Sequence, residues 1–130
     1  MTTYTIKRSD WNGVVPIPKG TSCLYDPSRA GHNKCCLGII AGQLKISDDL
    51  IAHRGSFLDL DDMSAKGIAH TAKFLAAYEN EDSDGPYYVD SDLSHRAINI
   101  NDSIALTPEQ KEAHLISLFA EHNITLIFED

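Results

Sequence analysis

The sequence predicts an α+β fold. It is read as a small single domain spanning residues 1–130, with a short antiparallel sheet that includes the N- and C-terminal strands. That sheet packs with helices near 33–44, 64–78, 91–100 and 107–122. Three observations lead there. Apolar residues alternate at the N-terminus, as in a half-buried strand; they recur with helical spacing in the segments beginning at Asn33 and Thr107; and the closing "ITLIFE" is β-branched and aromatic. A chain of 130 residues buries roughly two-thirds of the surface its unfolded form exposes, so one core suffices without metal or disulfide.

Each element has a local cause. In "TYTIK", residues 3–7, Tyr4 and Ile6 alternate with polar neighbours. "WNGVVPIPKG" reads as a loop because two prolines and two glycines in ten residues forbid a regular element. A short strand, "SCLY", precedes the turn "DPSRAGHN". From Asn33 the pattern becomes helical, with Leu37, Ile40, Ala41 and Leu44 at i, i+3, i+4 and i+7. Ser47 is placed to cap a short helix, "DDLIAHR", ended by Gly55. "SAKGIAHTAKFLAAY", residues 64–78, has helix-forming composition, a stripe through Ile68, Ala72 and Leu75, and Ser64 as cap.

"ENEDSDGP", residues 79–86, is expected to be an acidic surface loop and the most mobile segment. "DSDLSHRAINI" predicts a short helix begun near Ser91 and finished by the Asn101–Asp102 turn. The C-terminal helix carries the fullest set of signals: Thr107 as N-cap, Pro108 at the first helical position, Gln110 completing a capping box, and a stripe of Leu115, Leu118 and Phe119. Asn123 stops it before the final strand. There is no internal repeat and no linker.

Composition narrows the function. No run of 18 apolar residues is present and "MTTYTIKRSDW" lacks an apolar leader, so a soluble, cytoplasmic protein is expected. Three cysteines suit a reducing compartment. The net charge of -8 argues against general nucleic-acid binding. The charge is uneven: residues 1–34 carry a net +3 and the rest a net -11. A small anion could therefore find a basic corner, although these cations could equally pair with acids across the fold.

The cysteines in "HNKCCLGII" allow three readings. Cys36, one turn before Ile40, fits a small buried hydrophobe; Cys35, near Lys34 and His32 at a helix start, could be a thiolate nucleophile. A zinc site would draw on His32, Cys35, Cys36 and Cys23, but a second short-spaced ligand pair is missing. Packing is preferred, and no catalytic residue, metal or cofactor is expected. Gly38 and Gly42, four apart, are explained by close approach of another backbone, inside the domain or between subunits. "NEDSDG" places Asn80, Asp82 and Asp84 like the front of a calcium loop, yet the twelfth position is Ser91 rather than a bidentate Glu. "LDLDDM" could gather carboxylates for magnesium but reads as surface, and the six histidines fall in no metal-binding spacing.

The sharper expectation concerns the start of the 33–44 helix. Free backbone N–H groups and the positive dipole end lie there beside Arg29, His32, Asn33 and Lys34, a setting that stabilises anions. Arg8 and Trp11 would add a cation and a stacking surface suited to a nucleotide-like ligand. The alternative is a capped helix with solvated charges.

In "SCLYDPSRAGHNKCCLGII", "ININD" and "LTPEQKEAHLISLFAEHNITLIF", the chain resembles a group of small phage and prophage accessory proteins. Cys35, Cys36, Leu37 and Gly38 match a C-C-L-G segment after a short turn, Asn101 and Asp102 match an asparagine-aspartate pair, and the C-terminus matches a helix-strand unit. The likeness touches about half of the residues, its motifs look structural, and the 79–86 insertion has no counterpart. It implies a viral accessory protein, in the host cytoplasm if so, more than a reaction. Such proteins often counter host defences. The function expected is non-catalytic sequestration of a small anionic, nucleotide-derived immune signal by Arg8, Trp11, Tyr25, Arg29, His32, Asn33, Lys34, Asn101 and Asp102. The alternatives are an acidic interaction protein that inhibits a host defence enzyme, and an enzyme that degrades the signal. A homo-oligomer is expected, with no membrane partner.

Overall fold

The computed structural model describes residues 2–15, 23–78 and 87–130. Among the described residues, four strands and five α-helices follow in the order β1 (Thr2–Lys7), α1 (Cys36–Gln43), α2 (Asp48–Ile51), α3 (Met63–Thr71), β2 (Leu75–Tyr78), β3 (Tyr87–Asp90), α4 (Asp92–Asn101), α5 (Pro108–Glu121) and β4 (Ile124–Glu129). The α+β class holds in a single small domain. No helix among the described residues is long and apolar enough to cross a membrane.

The terminal strands pair as expected but run parallel, from Thr2 opposite Ile124 to Lys7 opposite Glu129. This corrects the antiparallel sheet. Alternation fixes which face of each strand is buried, Tyr4 and Ile6 on β1, Ile124 and Leu126 on β4. It reads the same in either direction, so it carries no information on polarity. The antiparallel pair is instead β2 with β3, Leu75 opposite Asp90 through Tyr78 opposite Tyr87, a second two-stranded sheet.

The 64–78 helix is corrected too. Helix α3 starts after Asp62, whose carboxylate accepts the Ala65 N–H at 2.8 Å, and ends at Thr71. Lys73 then takes a left-handed φ of 75° and the chain enters β2. Ala76 and Ala77 favour helix intrinsically, but pairing with Val89 and Tyr88 overrides that preference of under about 1 kcal/mol per residue. Strand β3 had no sequence forecast. "SCLY" does not form a strand: among its described residues only Tyr25 makes isolated bridges, to Lys34 and Ala52. The helix expected from Asn33 begins at Cys36, because Lys34 is held extended between Trp11 and Tyr25.

Other local signals hold. Ser47 caps α2, which ends at Ile51 with His53, at φ 61°, reversing the chain before Gly55. Ser91 caps α4, accepting the Ser94 N–H at 3.1 Å. Thr107 and Gln110 form the reciprocal capping box on α5. Asn123, at φ 62°, turns α5 into β4. The forecasts for residues 16–22 and for the calcium-like loop 79–86 lie outside the described residues.

Helix α5 packs on β4 and α4, and α1 packs on β1 and α4. Between them lies a core led by Trp11, Phe57, Phe74 and Phe119, none with exposed surface. Gly38 is where α1 meets the extended segment at Leu24: a Cβ there would overlap the Leu24 carbonyl. Gly42 has open space around it, so the two glycines are not one packing motif.

Candidate functional site

The centre of the N-terminal region is a buried amide. Asn101, the last residue of α4, has no exposed surface. Its Oδ1 accepts the Trp11 indole N–H at 2.6 Å and the backbone N–H of Cys36 at 3.1 Å. Its Nδ2 donates to Asn12 Oδ1 at 2.9 Å and to Asp102 Oδ1 at 3.0 Å. One side chain thus ties the N-terminal loop, the first turn of α1 and the end of α4 together. Every hydrogen-bonding site it uses is satisfied, as burial requires.

This arrangement disposes the expected binding residues in a different way from a single cluster. Trp11 is fully buried, its ring 4.8 Å from that of Phe128, and offers no face for stacking. The first N–H of α1 is already taken by Asn101. Arg8 donates to Glu112 at 2.8 and 3.0 Å and to Asp130 at 3.0 Å, which raises its pKa further. Lys34 pairs with Asp48 at 2.9 Å and lies over the Tyr25 ring at 5.1 Å. His32 Nδ1 sits 3.1 Å from the Trp11 carbonyl, and Asn33 Nδ2 donates to the Arg29 carbonyl at 3.2 Å. Arg29 is half-buried, and the Asp26 carboxyl stays below its usual range mainly through hydrogen bonds from Ser28, with a smaller contribution from the charges of His53 and Arg29. Arg8 and Lys34 are thus neutralised on separate elements, while Arg29 makes no salt bridge among the described residues.

Of the nine, Asp102 reaches a cavity. The space, about 360 Å³, is bounded by Gly13, Val14 and Val15 on one side, by Asp102, Ser103, Ile104 and Leu106 on another, and by Pro108 and Lys111 of α5. Its size falls within the range of small-ligand pockets, roughly 300–1,000 Å³. The walls are mostly aliphatic or backbone. Two charged residues line it: Asp102, whose carboxylate is held by Asn101, and Lys111.

Lys111 is the unexpected member. It is only 5% exposed, and among the described residues its amine has neither a salt bridge within 4.0 Å nor a hydrogen bond. Desolvation lowers its pKa, and the field of Asp102 opposes that only in part. Most of the side chain is covered, as is usual for the stem of a packed lysine, while its amine nitrogen is not one of the buried polar atoms left without a partner among the described residues. A ligand with an acceptor for Lys111 and a donor for Asp102 would complete both groups. The sequence does carry a signal for it: Lys111 stands at i−4 and i−7 from Leu115 and Leu118, a lysine on the apolar stripe of α5.

The cysteines are explained by packing. Cys35 and Cys36 are buried, and burial pushes the Cys35 thiol up to about 12 and Cys36 upward as well. The N-terminal helix position that normally favours a thiolate is outweighed by desolvation. Among the described residues no group of three or more His, Cys, Asp or Glu side chains could hold a metal ion.

No family model matches the chain, and neither a curated protein nor a solved structure does.

Proposed function

We propose that the protein is a non-catalytic binder of a small anionic molecule, held in the cavity between the Gly13–Val15 segment and the start of α5. What carries the reading is Lys111: a largely buried side chain with no ion pair or hydrogen bond among the described residues, lining a space of about 360 Å³. An anionic oxygen would pair with that charge through a charge-assisted hydrogen bond. Asp102 would take a hydroxyl or amine donor, and Val14, Val15, Ile104 and Leu106 an apolar ring. A nucleotide has all three features. With the resemblance to small phage and prophage accessory proteins, the role proposed is sequestration of a nucleotide-derived immune signal. The site is moved from the basic helix start to this cavity.

The test combines stability with recovery. Cyclic nucleotides and ADP-ribose-type compounds are added to the protein and its melting temperature followed. A true ligand at a hundred times its Kd stabilises by about 2.7 kcal/mol, a shift of several degrees. Heat denaturation should then return the ligand intact. Lys111→Met should abolish the shift. An altered product means catalysis, and no shift with any nucleotide moves the reading to a protein partner.

A further inference from the structure

We infer that the cavity selects a compact ligand with a single anionic group and an apolar body, and that it turns polyanions away. The inference rests on the reading of that cavity as a ligand site, and it names the class of molecule the site accepts.

The charges set the selection. Of the described residues that line the space, Lys111 is the one cation and Asp102 the one anion. The two do not pair with each other, since no salt bridge joins them within 4.0 Å. Asp102 is instead held by the Asn101 amide at 3.0 Å, and Asn101 is locked in the core by the Trp11 and Cys36 N–H groups. One anionic group on a ligand meets Lys111; a second meets no cation among these residues and stands in the field of the Asp102 carboxylate. The first turn of α5 compensates little. Pro108 has no N–H, the Gln110 N–H is taken by the Thr107 hydroxyl at 3.2 Å, and Glu109 adds a negative charge there. The net charge of -8 opposes a polyanion from further away.

The remaining walls define the body. Val14, Val15, Ile104 and Leu106 present aliphatic surface. Ile104 is 97% exposed, the most of any large apolar side chain among the described residues, and its place on the lining puts it at the mouth. A ring seated against it removes that surface from water. A volume of about 360 Å³ lies near the lower end of small-ligand pockets, roughly 300–1,000 Å³, which suits one ring system with its substituents.

Calorimetric titration with three adenine nucleotides tests the selection, because base and ribose stay constant while charge rises. Cyclic 3′,5′-AMP carries a single negative charge, 5′-AMP about two and ADP about three near neutral pH. Cyclic AMP should bind at least about tenfold more tightly than AMP, with ADP weakest, the scale expected of one unpaired like charge at a partly solvated site. Asp102→Asn, which keeps an acceptor for Asn101, should narrow that preference to about threefold by tightening AMP and ADP. Ile104→Ser, at a position whose side chain is already in water, should weaken all three alike by about fivefold. AMP or ADP binding as tightly as cyclic AMP, in a protein whose circular dichroism is native, overturns the single-charge selection and leaves the cavity reading standing. A preference undiminished in Asp102→Asn overturns it too, because the discrimination then arises elsewhere. If none of the three binds, the cavity reading falls and the selection with it.

Discussion

Asn101→Ala isolates the hub on which the cavity is built. The substitution strips the acceptor from two buried donors, the Trp11 indole N–H and the Cys36 N–H, and the donor from Asn12 Oδ1. Each orphaned buried group costs about 1–3 kcal/mol, and because the three share one network a total of about 3–5 kcal/mol is expected. Domains of this class are stable by about 5–15 kcal/mol, so the variant should remain folded but lose much of its margin. At about 4 °C per kcal/mol for a chain of this length, the melting temperature should fall by roughly 12–20 °C. Urea titration and calorimetry measure it, and Trp11, the one tryptophan, reports the local change by fluorescence. Asn99→Ala on the exposed side of the same helix is the control, with an effect within about 0.5 kcal/mol. A loss in Asn101→Ala no larger than in the control refutes the hub.

Three further outcomes follow from the same geometry. Gly38→Ala should destabilise by about 2 kcal/mol or more, because its Cβ meets the Leu24 carbonyl, a backbone atom that cannot swing away. Gly42→Ala, in open space, should stabilise by about 0.5–1 kcal/mol; urea midpoints compare the two. Iodoacetamide at about pH 8 should leave Cys35 and Cys36 of the native protein unmodified and react first with half-buried Cys23, since desolvation holds both buried thiols protonated. Mass mapping with and without urea reads this out. Asp90 should be a pH-dependent weakness. Burial raises its carboxyl pKa, and its Oδ1 finds no hydrogen-bond partner among the described residues. The folded state therefore binds the proton more tightly than the unfolded chain, and stability is lost as pH rises from the unfolded value, about 3.9, through the folded one. Asp90→Asn should raise the melting temperature at neutral pH, with the gain fading toward about pH 4; a gain independent of pH contradicts the assignment.

The sequence by itself determined those features whose cause is local. The capping box at Thr107 and Gln110, the Ser91 and Ser47 caps and the Asn123 stop each join groups within a few residues, so three or four letters suffice. The α+β class and the pairing of the two terminal strands were legible from periodicity. Tertiary structure decided the rest. Strand polarity is invisible to an alternating pattern, and β2 is strand only because Tyr87–Asp90 lies beside it. Asn101 and Trp11, which read as ligand contacts, are turned inward because hydrogen bonding across 90 residues of chain satisfies them in the core. Lys111 became a candidate only when the start of α5 came to line one cavity with Asp102 and the Gly13–Val15 segment. Charge in a sequence is counted as if solvated; whether a cation keeps its water, finds a carboxylate or faces an aliphatic wall is settled by packing between distant segments.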